Sequence, residues 1–224
     1  EINQNFSSSG FEQSLGTFRI NLTYDSTYYT TASVNLIYNG SSYSGTNLGS
    51  GDNTIFSREI TLPSVNQNTN FTFYWQVVLN NGTSNTLFNS TTRNQTVLNI
   101  SVDNCTVNSF LLYNFTMKDE GTTTMLNGTS NSTLFEIDLK LSPLGDLNPF
   151  LTFSKIYSQT NPARVCINQN LNNTQYRADI VASYVATNYA QEFFFLDNGT
   201  ITNTTRNIDL FDLRLDDSTT FLFT

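Results

Sequence analysis

The nine residues FTFYWQVVL (71–79), with NNGT (80–83) directly after them, decide the fold. Aromatic and β-branched side chains dominate this run, and they suit a pleated surface packed against a core. Asn81-Gly82 then supplies residues that tolerate the positive φ of a tight hairpin turn. The segment reads as a strand that ends in a turn, and the same reading extends along the chain in both directions. In TFRINLTY (17–24), Phe18, Ile20, Leu22 and Tyr24 share one face while Arg19, Asn21 and Thr23 share the other. SVNLIY (33–38) runs into Asn39-Gly40, and TIFSREITL (54–62) sets Phe56, Ile60 and Leu62 against Ser57, Glu59 and Thr61. QTVLNI (95–100) closes this half. A period of two is the strand signal, and several short strands separated by turn residues predict a sandwich.

The second half repeats the pattern. SFLLYNFTMK (109–118), TLFEIDLKL (133–141), FLTFSKIY (150–157), ARVCI (163–167), EFFFL (192–196), NIDLFDLRL (207–215) and TTFLF (219–223) are strand candidates, with SPLGDLNP (142–149) a turn. YRADIVASYVATNYAQ (176–191) fits a helical stripe through Ile180, Val181, Tyr184 and Val185. It fits a strand through Tyr176, Ala178, Ile180, Ala182 and Tyr184. Strand is preferred, because β-branched and aromatic residues are frequent and no helix cap is evident. The fold class expected is all-β, as two tandem antiparallel sandwiches: an N-terminal arm over 1–16, flexible or ordered against a partner, then domains over 17–101 and 102–224.

Composition narrows the function. The 224 residues carry a formal charge of −8, with 12% charged residues and no histidine. Ten Lys and Arg, scattered singly, make no phosphate-binding face, so nucleic acid is not an expected partner. Without histidine there is no His-based triad and no common zinc site. Asn, Thr and Ser number 31, 33 and 23, while 38% of residues are hydrophobic, so the chain is polar yet able to fold.

Asn-x-Ser/Thr, the acceptor for N-glycosylation, occurs at Asn5, Asn21, Asn39, Asn70, Asn81, Asn89, Asn94, Asn99, Asn104, Asn114, Asn127, Asn131, Asn172, Asn198 and Asn203. Random placement of the same residues gives about 8 such sites, so composition alone does not produce 15. Asn39, Asn81, Asn127 and Asn198 each precede Gly, which predicts hairpin turns that project a glycan into solvent. Asn89, Asn94, Asn99 and Asn104 recur every five residues, so on one straight strand they would alternate faces. Part of 89–104 must therefore turn, and a domain boundary is placed near residue 101. The covalent glycans stand where other proteins have cofactors; none of the latter is expected.

Cys105 and Cys166 are expected to form one disulfide within the second domain, as an extracellular chain allows. The chain opens on Glu1-Ile2-Asn3 without a secretory leader and has no run of 18 apolar residues. It ends on TTFLFT (219–224), a strand-like pattern with no trailing polar cap, as expected of truncation, processing or a strand used elsewhere.

Residues 17–101 resemble an immunoglobulin-like or fibronectin type III-like module in strand number, length and the lone Trp75 in mid-strand. The resemblance implies a Trp75 packed in the core, with a sugar-stacking platform as its alternative. The disulfide of antibody-type domains is missing, since no cysteine precedes Cys105. In composition and sandwich pattern the whole chain is similar to heavily glycosylated archaeal cell-surface and thread-like filament proteins, which implies polymerisation.

Candidates for chemistry are sparse. Asp209, Asp212, Asp216 and Asp217 offer oxygen ligands suited to calcium. Asp212, Arg214 and Asp216 alternate with Phe211, Leu213 and Leu215, however, which reads as a solvated strand face. Asp119-Glu120 is an acidic pair without a visible pocket. Lys118, Lys140 and Lys155 lie in no Ser-Lys motif, and GSSYSGTNLGSG (40–51) is a flexible hairpin loop with no phosphate-loop Lys. An enzyme is not expected. Two readings remain. The first is a structural subunit of an extracellular filament or surface layer, assembled from copies of itself. Strand addition through the arm 1–16 or FLF (221–223) would join them. The second is an adhesin or receptor module binding carbohydrate or protein through its loops, with Tyr and Trp as contact surface.

Overall fold

A computed structural model of the chain describes residues 2–217. The C-terminal strand candidate TTFLF (219–223) lies outside them. Two compact units divide between Asn99 and Ile100, and among the described residues every regular element apart from a short 3-10 turn at Leu215–Asp217 is a β-strand.

The first unit holds β1 (Ile2–Phe6), β2 (Ser9–Phe11), β3 (Leu15–Thr23), β4 (Thr31–Tyr38), β5 (Ser41–Ser44), β6 (Thr46–Asn47), β7 (Asn53–Thr61), β8 (Thr69–Asn80), β9 (Asn85–Asn89) and β10 (Arg93–Leu98). One sheet runs β1-β3-β7-β6, the other β2-β10-β8-β4-β5 with β9 also on β8. Omitting β2 and counting β9 and β10 as one interrupted strand, these are the A-B-E-D and G-F-C-C′ orders of an immunoglobulin sandwich. The alternation supplies the core: Phe18, Ile20 and Leu22 of β3 join Leu36 and Tyr38 of β4 and Phe73, Trp75 and Val77 of β8 in one buried cluster. Trp75 is fully buried, so it packs the core and offers no stacking platform.

Residues 2–16 do not form a detached arm. β1 pairs antiparallel with β3 from Ile2↔Leu22 to Phe6↔Phe18, and β2 pairs parallel with β10. Phe6 packs edge-on against Phe73, with ring centroids 4.7 Å apart. Glu12, 2% exposed, accepts hydrogen bonds from the Ser64 hydroxyl at 2.7 Å, the Val65 amide at 2.9 Å and Asn99 Nδ2 at 3.1 Å. Few apolar residues suffice here, because the neighbouring strands supply the pairing. Residues 40–51 likewise are ordered: β5 pairs with β4, and β6 with β7 in the other sheet.

The second unit holds β11 (Val102–Asp103), β12 (Phe110–Asp119), β13 (Leu134–Pro143), β14 (Leu151–Ser158), β15 (Ala163–Ile167), β16 (Tyr176–Val185), β17 (Glu192–Ile201) and β18 (Arg206–Asp212). Its sheets run β11-β15-β12-β18 and β14-β13-β16-β17, and Phe115 of one meets Phe194 of the other at 6.1 Å. The ambiguous stretch from Tyr176 is the central strand β16, whose Tyr176, Ala178, Ile180, Ala182 and Tyr184 are buried. β18 runs parallel to β12, so each unit contains one parallel pair among its antiparallel ones.

Candidate functional site

The sequons are the sites the sequence singles out, and the fold determines how each is presented. Ten of the fifteen asparagines are exposed, five (Asn81, Asn99, Asn104, Asn114 and Asn131) are half-buried, and none is buried. In the first unit Asn5 and Asn21 lie on outward positions of one sheet, and Asn70, Asn89 and Asn94 on those of the other. The five-residue spacing is accommodated by a break between β9 and β10 and by the end of β10 at Leu98, beyond which the chain leaves the strand. Ser90 bridges the break, its amide donating to Trp75 O and its hydroxyl accepting from Trp75 N, both at 2.8 Å.

The four Asn-Gly sites turn out to differ. Asn39 and Gly40 both have positive φ, 48° and 79°, and make the two-residue hairpin between β4 and β5. Asn81 and Asn127 instead form Asx turns, their Oδ1 atoms accepting from the amides of Thr83 at 3.0 Å and Thr129 at 3.1 Å. Asn198 is not in a hairpin at all. It has φ 55° beside the point in β17 where the register with β16 shifts, a bulge that the local dipeptide does not distinguish from a turn.

Asn99 stands apart chemically. Its Nδ2 donates to Val65 O at 2.7 Å and to Glu12 Oε1 at 3.1 Å. Both amide hydrogens are committed, so a sugar at this nitrogen would displace one of the two bonds, to Val65 O or to the buried Glu12 carboxylate.

Cys105 and Cys166 are bonded, with Cα atoms 4.9 Å apart and a sequence separation of 61. Cys166 belongs to β15, and the chain turns into Cys105 (φ 65°) directly after β11, which pairs with β15. The Asp103 carboxylate holds this turn through the amides of Cys105, Val107 and Asn108.

The acidic residues do not gather into an ion site: among the described residues no three metal-type side chains come together. Asp209 is half-exposed and bridges to Lys118 at 2.7 Å. Asp212 contradicts the expected solvated face. It is fully buried while Phe211 is 41% exposed, because β18 turns Leu210 inward and Asp212, two residues on, must follow it. Neither oxygen of Asp212 finds a hydrogen-bond partner of good geometry. Burial, with the nearby Glu192 charge adding to it, pushes the carboxyl up to about 7, and the amides of Ala186 and Leu213 only partly offset this. Close by, Asp119 accepts from Tyr189 Oη at 2.7 Å and from the Thr122 amide and hydroxyl at 2.7 and 2.8 Å. These bonds hold its carboxyl below the ordinary range. A carboxylate so engaged anchors the loop after β12.

One sheet face differs from the others. Outward positions on β13, β14 and β16 carry no sequon, and the face exposes Leu134, Ile156, Val181, Phe193 and Phe195. A groove of about 420 Å³ crosses it, lined among others by Asp138, Ser154, Val181 and Phe195. Alternation in EFFFL predicts neither ring's exposure, since consecutive phenylalanines mark both faces as apolar.

No family model matches the chain, and no curated protein does. Among solved structures, domains D2 and D3 of the major pilin SpaD from Corynebacterium diphtheriae align at 9% identity with a TM-score of 0.32. That alignment covers 96% of this chain and 100% of that one. The full-length SpaD pilin aligns at 10% identity with a TM-score of 0.32, and the chain spans 96% of itself but 65% of that protein. Chicken CNTN1 FN1-FN3 domains align at 10% identity over 86% of this chain and 66% of that one, with a TM-score of 0.28. Scores this low carry no argument about function. What the chain's own strand pairing shows is an all-β protein built of two β-sandwich units, the first in immunoglobulin order.

Proposed function

We infer that the protein is a structural subunit of an extracellular, heavily N-glycosylated filament or surface layer, assembled from copies of itself. The observation that carries this reading is the placement of the sequons, on turns and outward strand positions with none in a core. Glycans on both sheet faces of the first unit would keep neighbouring subunits from associating sideways through hydroxyl-rich strands. Contacts between subunits would then fall to sheet edges, such as β14 and β17 at the two margins of their sheet. Because β1 and β2 already pair within the first unit, FLF (221–223) is the better candidate donor strand. The chemistry asked of such a subunit is mechanical, and no catalytic residue is assigned.

The adhesin reading has one observation in its favour, the sequon-free face with exposed Phe193 and Phe195. Electron cryomicroscopy of native material separates the two. Regular polymers with one chain's strand in the next chain's sheet, and sugar density on most sequons, are the expected result. Isolated particles with few glycans would overturn the structural reading.

A further inference from the structure

The sequon at Asn198 stands beside the one exposed pair of stacked phenylalanines in the second unit's described residues. The bulge that carries it is fixed by charge. Asn198 N–H donates to Asp179 Oδ1 at 2.7 Å, and the Arg177 guanidinium bridges Asp179 and Asp197 at 3.1 and 3.0 Å. The Asn198 side chain is exposed. Three residues earlier, Phe195 is 69% exposed, and its ring lies within 18° of parallel to that of Phe193, with centroids 6.2 Å apart. From Phe195 the register crosses the sheet through Val181 and Asp138 to Ser154. This row is apolar at the Asn198 side and polar beyond, and it lies in the groove of about 420 Å³.

We propose that an N-linked glycan on Asn198 folds back into this groove. A pyranose C–H face rests on the Phe195 ring, and the sugar hydroxyls reach Asp138 and Ser154. The proposal rests on the glycosylation reading above. A pyranose has an apolar face and a polar rim, which is the division this row presents. A second copy would take the Asp138 carboxylate and the Arg177–Asp179–Asp197 cluster out of water, with the desolvation cost that entails. The tether also removes most of the cost of association, since the sugar is delivered three residues from the ring. Attachment joins Asn198 Nδ2 to the anomeric carbon of a sugar carried on a polyprenyl phosphate or diphosphate. The anomeric C–O bond to the carrier breaks, the carrier phosphate leaves with the electron pair, and a base of the transferase takes one amide proton.

The test uses the full chain from a glycosylating host, as wild type, Phe195→Ala, Thr200→Ala and the double variant. Thr200→Ala removes the sequon but leaves Asn198 in its positive-φ position, and Phe195 is too exposed for its loss to unfold the sheet. Glycopeptide mapping reads occupancy, and hydrogen exchange of residues 192–201 reads local stability. Stacking of this kind predicts that losing the glycan speeds exchange about two- to tenfold in the wild-type background. The effect should vanish in Phe195→Ala, along with ring-current shifts of the sugar protons. Phe195→Tyr, which keeps the ring, should retain both. An occupied Asn198 with equal effects in both backgrounds overturns the stacking and leaves glycosylation standing. An unoccupied Asn198 in the native protein overturns both at this site.

Discussion

Replacing Asp212 by asparagine should favour the second unit's stability more at neutral and alkaline pH than in acid. The carboxyl is fully buried, without a good hydrogen-bond partner, and is raised from 3.8 to about 7 in the folded state. Below pH 4 both folded and unfolded chains are protonated at this position, and ionisation costs nothing. Between about 4 and about 7 the unfolded chain ionises while the folded one does not, so stability falls as pH rises, and above 7 the loss levels off. A shift of about three pH units at about 1.36 kcal/mol each sets an upper bound on the order of 4 kcal/mol. Relaxation and water entry around the ionised group reduce it to about 2–3 kcal/mol. Asparagine cannot ionise, but it changes packing by an unknown constant amount. The quantity to measure is therefore the stability difference between variant and wild type at pH 8 minus that at pH 4, in which the constant cancels. Urea unfolding followed by hydrogen exchange of the β12 and β18 peptides supplies it. Fluorescence of Trp75, the single tryptophan and a core residue of the first unit, provides an internal control. A variant that is equally shifted at pH 4 and pH 8 would refute the assignment of Asp212 as a buried, neutral carboxyl.

Three further outcomes are expected. Cys166→Ala should destabilise the second unit by about 4 kcal/mol in the chain-entropy model for its 61-residue separation, measured by denaturant titration without reductant. Glu12→Ala should cost about 2–3 kcal/mol in the first unit, because it strands the Val65 amide, the Ser64 hydroxyl and Asn99 Nδ2. An unchanged unfolding midpoint would mean that the β2 region is not docked as described. Glycopeptide mapping of the native chain should find Asn99 empty while exposed sites such as Asn21 and Asn70 are occupied. A fully occupied Asn99 would show that its two hydrogen bonds do not form before modification.

Much of this architecture is legible locally. In β3, Phe18, Ile20 and Leu22 are apolar while Arg19, Asn21 and Thr23 are polar, so only one face has anything to gain from burial. Asn39-Gly40 likewise admits few backbone conformations besides the turn it makes. The strand β18 shows where such reasoning stops. NIDLFDLRL has apolar residues on both alternations, Ile208 and Leu210 against Phe211, Leu213 and Leu215. Its parity is decided by pairing with β12, 90 or so residues away, which turns Leu210 and Asp212 inward.

The sequence by itself determined the strand content, the turn chemistry, the positions of the sequons and the cysteines available to pair. These are local properties, set by side-chain alternation and by backbone preferences of one or two residues. Tertiary structure alone decided that residues 2–6 and 9–11 pair as strands, that Asp212 lies inside and that Phe195 lies outside. It also decided that both side-chain amide hydrogens of Asn99 are committed. The physical reason is shared by all four. A strand's hydrogen-bonding groups and its choice of face are satisfied by partners distant in sequence, and such partners leave no mark on the segment's own residues.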